Sequence, residues 1–340
     1  MNKTIYILQV PRRYIRDMQN PLQFYSDNEF RKRYRFRKQT VIEIMLPVIY
    51  DEMVKINRRG LPFPPILCLL VALRFYATGN FQIVTGDLRG FSQPTVSRCI
   101  FKISRLLAQL LPTYIKFPEG LENQRKNQRL FYAIANFPKV TGCIDCTHIP
   151  IKSPGGNMAE VYRNRKRYFS INVQVVGGPN LEIFDVVARW PGREHDSMIF
   201  NNSSVKHRFE NGSLTGFLLG DSGYACLPYL MTPLLNPGIE QEVRYNRSHI
   251  RTRNTVERLF GLWKKRFCCL SRGLNNKLER VPEIIVACAV LHNIGIKVND
   301  VNDEQDNVEE ELDDNEPHIP NQAQNIGHIV RRRLIEQHFN

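Results

Sequence analysis

Apolar positions recur at helical spacing through the first third of the chain and change to a two-residue period near Val140. Val41, Ile44, Met45, Val48, Ile49 and Met53 predict a helix over 41–56. Pro62, Pro64 and Pro65 open a second, strongly apolar helix over 65–78, which Gly79 closes. The next run, FQIVTGDLRGFSQPTVSRC, predicts a short helix, a Gly-containing turn and a further helix capped by Ser92 with Pro94 in its first turn. That is the outline of a helix-turn-helix over 79–111, with Gln93, Thr95, Ser97 and Arg98 at the exposed start of its second helix. Helical pairs of this outline also occur with no DNA role. Pro112, Pro118 and Pro138 mark 112–139 as a link, with FYAIANFP as a last helix before the sheet.

From Val140 the pattern predicts strands at 140–145, 147–152, 169–177 and 181–188, the last two joined by the turn Gly177-Gly178-Pro179-Asn180. A helix near 197–209, a strand at 216–221, a Pro-rich loop at 228–237 and a helix at 252–268 follow. A final apolar helix starts at Pro282. Strands followed by a helix, another strand and later helices describe an α/β fold, a mixed sheet covered by helices, behind an all-α N-terminal region. The expected division is 1–135 helical and 140–298 sheet-bearing. An acidic, disordered linker is expected over 299–324 and a short helix over 325–340 that docks back or binds a partner.

Charge changes this picture more than composition does. The net charge of +14 suggests a phosphate-rich partner, because Lys and Arg release condensed counterions from nucleic acid; plain solubility is the bland alternative. Arg31, Lys32, Arg33, Arg35, Arg37 and Lys38 alternate with Phe and Tyr, as on a helix docked by its aromatic side. The eight cysteines are scattered through apolar runs, so buried, reduced thiols explain them better than disulfides, and the lone Cys143-x-x-Cys146 lacks a second pair for zinc. No signal sequence is evident, and Ile66–Tyr76 is too short to span a bilayer. A soluble protein of cytoplasm or nucleus is expected.

The candidate chemistry starts at Asp145, in the apolar and β-branched run TGCIDCTHIPI, where an acid is excluded unless it is paired or binds a metal. Asp221 ends the apolar run FLLGD, and Glu257 lies early in the helical pattern NTVERLFGLWKKRF. Each has a bland alternative. Asp145 caps a turn between two strands, Asp221 starts a Gly turn, and Asn254-Thr-Val-Glu257 is a capping box at a helix start. Three acids at one end of a sheet are instead the oxygen donors that two hard cations such as Mg²⁺ need for phosphodiester cleavage. His148 and Asp196 are candidates for the surroundings of such a site, Asp196 with the helix cap as its favoured role. Arg163, Arg165, Lys166 and Arg167 on one loop, Arg258, Lys264 and Lys265 on the glutamate helix, and Arg98 are the candidate phosphate contacts.

At GCIDCTHIPIK, YRNRK-x-YFSINVQVV, GREHDS, LLGDSGY, RNTVERLFGLWKKRF and VACAVLHNI, in this order over about 140–297, the sequence resembles the DDE transposase family of PIF/Harbinger elements, and within it the domesticated, transposase-derived branch. The resemblance implies an RNase H-like nuclease core acting on DNA with Mg²⁺ or Mn²⁺. It maps the family's three catalytic, metal-binding acids onto Asp145, Asp221 and Glu257. It also implies a Myb-like DNA-binding partner protein that aids nuclear entry. Cys146 is a departure, since many relatives carry Gly there. Three readings stay open: a nuclease, a catalytically idle protein that binds DNA or a partner, and an active transposase with strand transfer.

Overall fold

The computed structural model describes residues 20–53, 64–79, 92–300 and 322–340. Two compact units divide the chain: Met1–Phe75 with Asn80–Ile103, and Tyr76–Gly79 with Ser104–Asn340. The stretch from Ser104 to Ala135, expected with the N-terminal region, thus belongs to the sheet-bearing unit.

In the first unit, Ser26 and Glu29 form a capping box that starts helix α1, Asp27–Tyr34. Phe30 and Tyr34 are buried along its inner side, so the basic-aromatic run does dock by its rings. Of the helix expected over 41–56, the described part is a π-helical turn, Thr40–Met45, followed by Pro47–Met53, and 54–56 lie outside the described residues. Pro47 has no N–H for the carbonyl of Glu43, and the ladder widens so that Leu46 N donates to Val41 O at 2.9 Å. Helices α2, Pro65–Thr78, and α3, Gln93–Gln109, stand where the sequence predicts them. On α3 Gln93 and Arg98 are exposed and Thr95 and Ser97 half-buried. The turn and first helix of the predicted helix-turn-helix lie outside the described residues. Cys68 and Cys99, on α2 and α3, bring their sulfurs to 3.3 Å, and all eight cysteines are free thiols.

The second unit is built on a five-stranded sheet, β3-β2-β1-β4-β5, from β1 Val140–Pro150, β2 Ser170–Gly177, β3 Ile183–Pro191, β4 Phe217–Leu219 and β5 Leu230–Met231. The pairs β1–β2 and β2–β3 are antiparallel, and β1–β4 and β4–β5 parallel. The two strands predicted over 140–152 are one, so Asp145 sits mid-strand and not at a turn. The β1–β4 register shifts between Val140 and Gly142; a Cβ at Gly142 would meet Val176 Cγ1 at 2.6 Å.

Successive residues feed opposite faces, as a pleat requires. Ile144, Leu218 and Leu230 join one apolar cluster with Phe200, Val205 and Tyr224; helices α5, Asp196–Asn201, and α6, Ser204–Glu210, supply its Phe and Val. A break at Asn202 and Ser203 splits the single helix predicted there. Cys143, Leu219 and Met231 join the other cluster, with Phe131 from helix α4, Leu121–Ala135, and Tyr245 and Val256 from helix α7, Glu240–Arg266. Helix α7 begins well before the predicted position 252. Over its first half the inner positions are Tyr245, Ser248, His249 and Thr252 rather than aliphatics; Val256 and Leu259 follow only later. Ser248 Oγ donates to Ala135 O at 2.6 Å, and Thr252 Oγ1 donates back to Ser248 O at 2.8 Å, so these hydroxyls are satisfied inside the core.

Helix α8, Val281–Lys297, covers the start of edge strand β3. Asn293 accepts from Ile183 N at 2.8 Å and donates to Ile183 O at 2.7 Å, standing in for a neighbouring strand. The C-terminal helix α9, Gln322–His338, docks back, placing Leu334, Ile335 and, just past the helix end, Phe339 in the second cluster. Arg331 Nη1 donates to Thr232 O at 3.1 Å, and Gly327 lies against the Cys226 carbonyl, where a Cβ would approach to 2.2 Å. No described helix is long and apolar enough to cross a membrane.

Candidate active site

Strand β1 delivers Asp145 on the pleat side that faces α7, the side Cys143 shares: Cys143 Sγ lies 3.4 Å from Thr252 O on that helix. One carboxylate oxygen, Oδ1, accepts from its neighbour Cys146 N at 2.8 Å; the other, Oδ2, accepts from Arg253 Nη1 at 2.9 Å. Arg253 donates its second arm, Nη2, to Glu257 Oε1 one turn further along α7. A single guanidinium thus joins the strand acid to the helix acid, with the three side chains 16–26% exposed. Because α7 starts at Glu240, Glu257 is a mid-helix residue, which excludes the capping box at a helix start.

Asp221 follows the end of β4. Its Oδ1 accepts from Gly223 N at 3.0 Å, so it does shape a turn, yet it also stands within electrostatic reach of Asp145 and Arg253. Asp196 is the first residue of α5, one place inside the cap position, which His195 holds without a side-chain bond. The cap role favoured for Asp196 is therefore not what the fold uses. Asn172 Nδ2 donates to its Oδ1 at 2.9 Å, and its charge reaches Asp145 and Cys146.

Asp145 and Glu257 share one guanidinium, with Asp221 also in its electrostatic reach. Burial pushes the Asp145 carboxyl well above the usual carboxylate range; Arg253 opposes that, and Asp221 and Asp196 add to it. Arg253 loses hydration too, but Asp145, Glu257 and Asp221 together hold its proton more firmly than usual. Among the described residues, no three His, Cys, Asp or Glu side chains as they stand close around a metal ion. The guanidinium occupies the gap between Asp145 and Glu257.

His148 belongs to the other pleat side, with Nδ1 3.1 Å from Ser170 Oγ. Of the basic candidates, Arg163 is committed within its own loop. It binds Glu160 through Nε at 2.8 Å and Nη2 at 2.9 Å, donates to Arg167 O at 3.0 Å and stacks over Phe169 at 4.3 Å. Arg165 Nη2 lies 2.8 Å from His195 Nδ1, which ties this loop to the start of α5 beside Asp196. Lys166 and Arg167 are exposed, as are Arg258 and Lys265 on α7, while Lys264 Nζ donates to His148 O at 3.3 Å. Arg98 is exposed in the other compact unit.

Sequence reasoning missed Arg253, Asn172 and Gln174. The signal for Arg253 was its position four residues before Glu257, on one helix face. For the other two it was polar residues at alternate positions of a strand buried throughout. Gln174 is fully buried, and neither amide atom finds a partner among the described residues.

A family model described as DDE superfamily endonuclease matches residues 144–293. The chain is 33% identical over 277 residues to Putative nuclease HARBI1 of Homo sapiens, covering 80% of this chain and 78% of that protein. It is 29% identical over 260 residues to the Xenopus laevis protein of the same name, covering 75% of each. With Protein ALP1-like of Arabidopsis thaliana it shares 28% identity over 251 residues, 68% of this chain and 60% of that one. No solved structure matches the chain.

Proposed function

Because the chain belongs to the DDE transposase family of PIF/Harbinger elements, we propose that it is a transposase-derived endonuclease. On this reading it hydrolyses DNA phosphodiester bonds with Mg²⁺ or Mn²⁺ on an RNase H-like core. The observation that carries the reading is the meeting of Asp145 from a central strand and Glu257 from α7 on one guanidinium, with Asp221 in electrostatic reach. The residues fit hard divalent cations: their donors are carboxylate oxygens from separate elements, a strand, a strand end and a helix. Asp145, Asp221 and Glu257 would hold them. When bound, such cations supply an activated water and stabilise the entering and leaving oxygens of the phosphodiester.

The chain's own residues do the rest. Asp145 is fixed by the sheet and by its bond from Cys146 N, so its free oxygen keeps one direction. Glu257 is held by a helix whose neighbouring residues Val256 and Leu259 are fully buried, which limits its drift. Arg247, Arg251, Arg258 and Lys265 are exposed and fall on one side of α7 at helical spacing, a stripe of roughly 27 Å at the usual rise per residue. Together with Arg165 and Lys166 they suit the backbone of a nucleic acid led past the acids, and Lys264 stands beside β1. Recognition of a DNA sequence would be shared with a Myb-like partner protein.

Purified full chain, incubated with plasmid DNA and Mg²⁺ or Mn²⁺, with and without a Myb-like partner, tests this directly. Cutting should require the metal, and Asp221→Ala should abolish it while leaving the circular dichroism spectrum unchanged. Undiminished cutting by Asp221→Ala would refute the proposed site.

A further inference from the structure

Arg253 bonds two of the three proposed ligands, Asp145 and Glu257. It rides the same helix as Glu257, four residues before it, so the two move together. Its guanidinium spans from the helix to the strand, and its side chain is only 18% exposed. Burying such an ion pair costs hydration on both sides, so the arrangement is poor as a pure source of stability. It is better suited to exchange. The planar fork that binds two carboxylates binds phosphate oxygens with the same geometry.

Resting on the metal-nuclease reading above, we propose that Arg253 is an internal stand-in for the metal and a ligand of the nucleic-acid phosphate. In the free protein its guanidinium occupies the gap between Asp145 and Glu257 and balances their charge. A phosphate arriving at the site draws the guanidinium off the carboxylates. The freed oxygens then accept the divalent cations, so metal and DNA load together. By linkage, whatever DNA does to metal affinity, metal does to DNA affinity. The free protein stays nearly empty of metal and the DNA-bound protein fills, which confines an armed site to the complex. No bond is made or broken in this exchange; one cation replaces another on the same oxygens.

The test compares the full wild-type chain with Arg253→Gln and Arg253→Lys. Mn²⁺ binding without DNA is read from the electron paramagnetic resonance signal of free Mn²⁺. Arg253→Gln, with its competitor removed, should bind Mn²⁺ at least about tenfold tighter than wild type; Arg253→Lys, which keeps the charge without the fork, should fall between. Fluorescence anisotropy of a short duplex, with Ca²⁺ against EDTA to hold cutting off, should show a metal-dependent gain in DNA affinity in wild type that shrinks in Arg253→Gln. Should Arg253→Gln fold poorly alone, added Mn²⁺ should raise its melting temperature by more than it raises that of wild type. Equal or weaker Mn²⁺ binding by Arg253→Gln would overturn the proposal and leave the nuclease reading standing, with Arg253 a fixed structural pair. Absence of Mn²⁺ binding in every protein would overturn both.

Discussion

His249 and Arg253 sit one turn apart on α7 and are buried in opposite ways. His249 is fully enclosed, and its Nε2 lies 3.0 Å from the carbonyl of Met231, which fixes that nitrogen as the donor. His292 on α8 repeats the arrangement, 2.7 Å from Leu181 O. Both imidazoles end on backbone that has nowhere to go, and burial lowers each to about 3, so they are neutral parts of the core. Arg253 ends on two side-chain charges, Asp145 and Glu257. A polar group whose partner is backbone is complete; one whose partners are mobile charges can exchange them. One helix thus carries a fully buried imidazole that completes the core and a half-buried guanidinium whose partners are exchangeable.

The sharpest break between the two regions comes from Asp145→Asn. Cutting should fall by at least about 10³-fold, as when any member of a concerted site is removed. Stability should move the other way. Because the folded carboxyl is pushed upward, the folded state binds more protons than the unfolded chain above the ordinary carboxylate range. Asp145 therefore favours folding in acid, and that contribution is lost as pH rises through its folded value. Asn carries no such penalty, so the melting temperature of Asp145→Asn relative to wild type should increase from pH 4 to pH 8. A difference that does not change with pH would show that Arg253 compensates the charge fully.

The histidines should give the opposite slope. An unfolded imidazole takes up its proton near 6.5, and the folded ones only near about 3, so in that window the unfolded chain holds more protons. Stability should fall on acidification, at the limit by about 1.4 kcal/mol per pH unit for each histidine. His249→Gln and His292→Gln should each be less stable at pH 7 by about 1–3 kcal/mol. Each should also flatten the acid limb of urea unfolding followed from pH 7 to pH 4, without changing metal binding. An acid limb that keeps its slope in the double variant would place the proton uptake elsewhere.

Physical pattern explains why the sequence revealed some of this and not the rest. The apolar helices α2 and α8 are evident from their periodicity, as is the β2–β3 hairpin from its Gly-Gly-Pro-Asn turn. The apolar pattern divides strand β1 in two because Asp145 interrupts it; the structure keeps it whole by giving that carboxylate a backbone N–H and a guanidinium. The pattern starts helix α7 too late, since EQEVRYNRSHIRTR has no aliphatic stripe and packs through an aromatic, a histidine and hydroxyls bonded to backbone carbonyls. Asp145 stands out as an acid inside an apolar run and Asp221 and Glu257 by their places at a strand end and on a helix, and the family motifs single out the same three. No periodicity reports which side chains of a strand, a strand end and a helix converge. The bridging Arg253, which shows most directly that Asp145 and Glu257 meet, is in the sequence one cation among many.

The basic stripe of α7 offers the smallest effect and the finest distinction. Arg247 and Arg258 share the helix of Arg253, yet they face solvent while Arg253 faces acids. If they only track phosphate, Arg247→Ala and Arg258→Ala should each weaken duplex binding by a similar factor for every sequence. Each should also reduce the slope of log affinity against log salt by about one. Metal affinity without DNA should not change, because neither side chain competes for the carboxylates. Loss of binding to one sequence only, with the salt slope intact, would mean that this face reads bases and that the division between the solvent and acid sides of α7 is drawn in the wrong place.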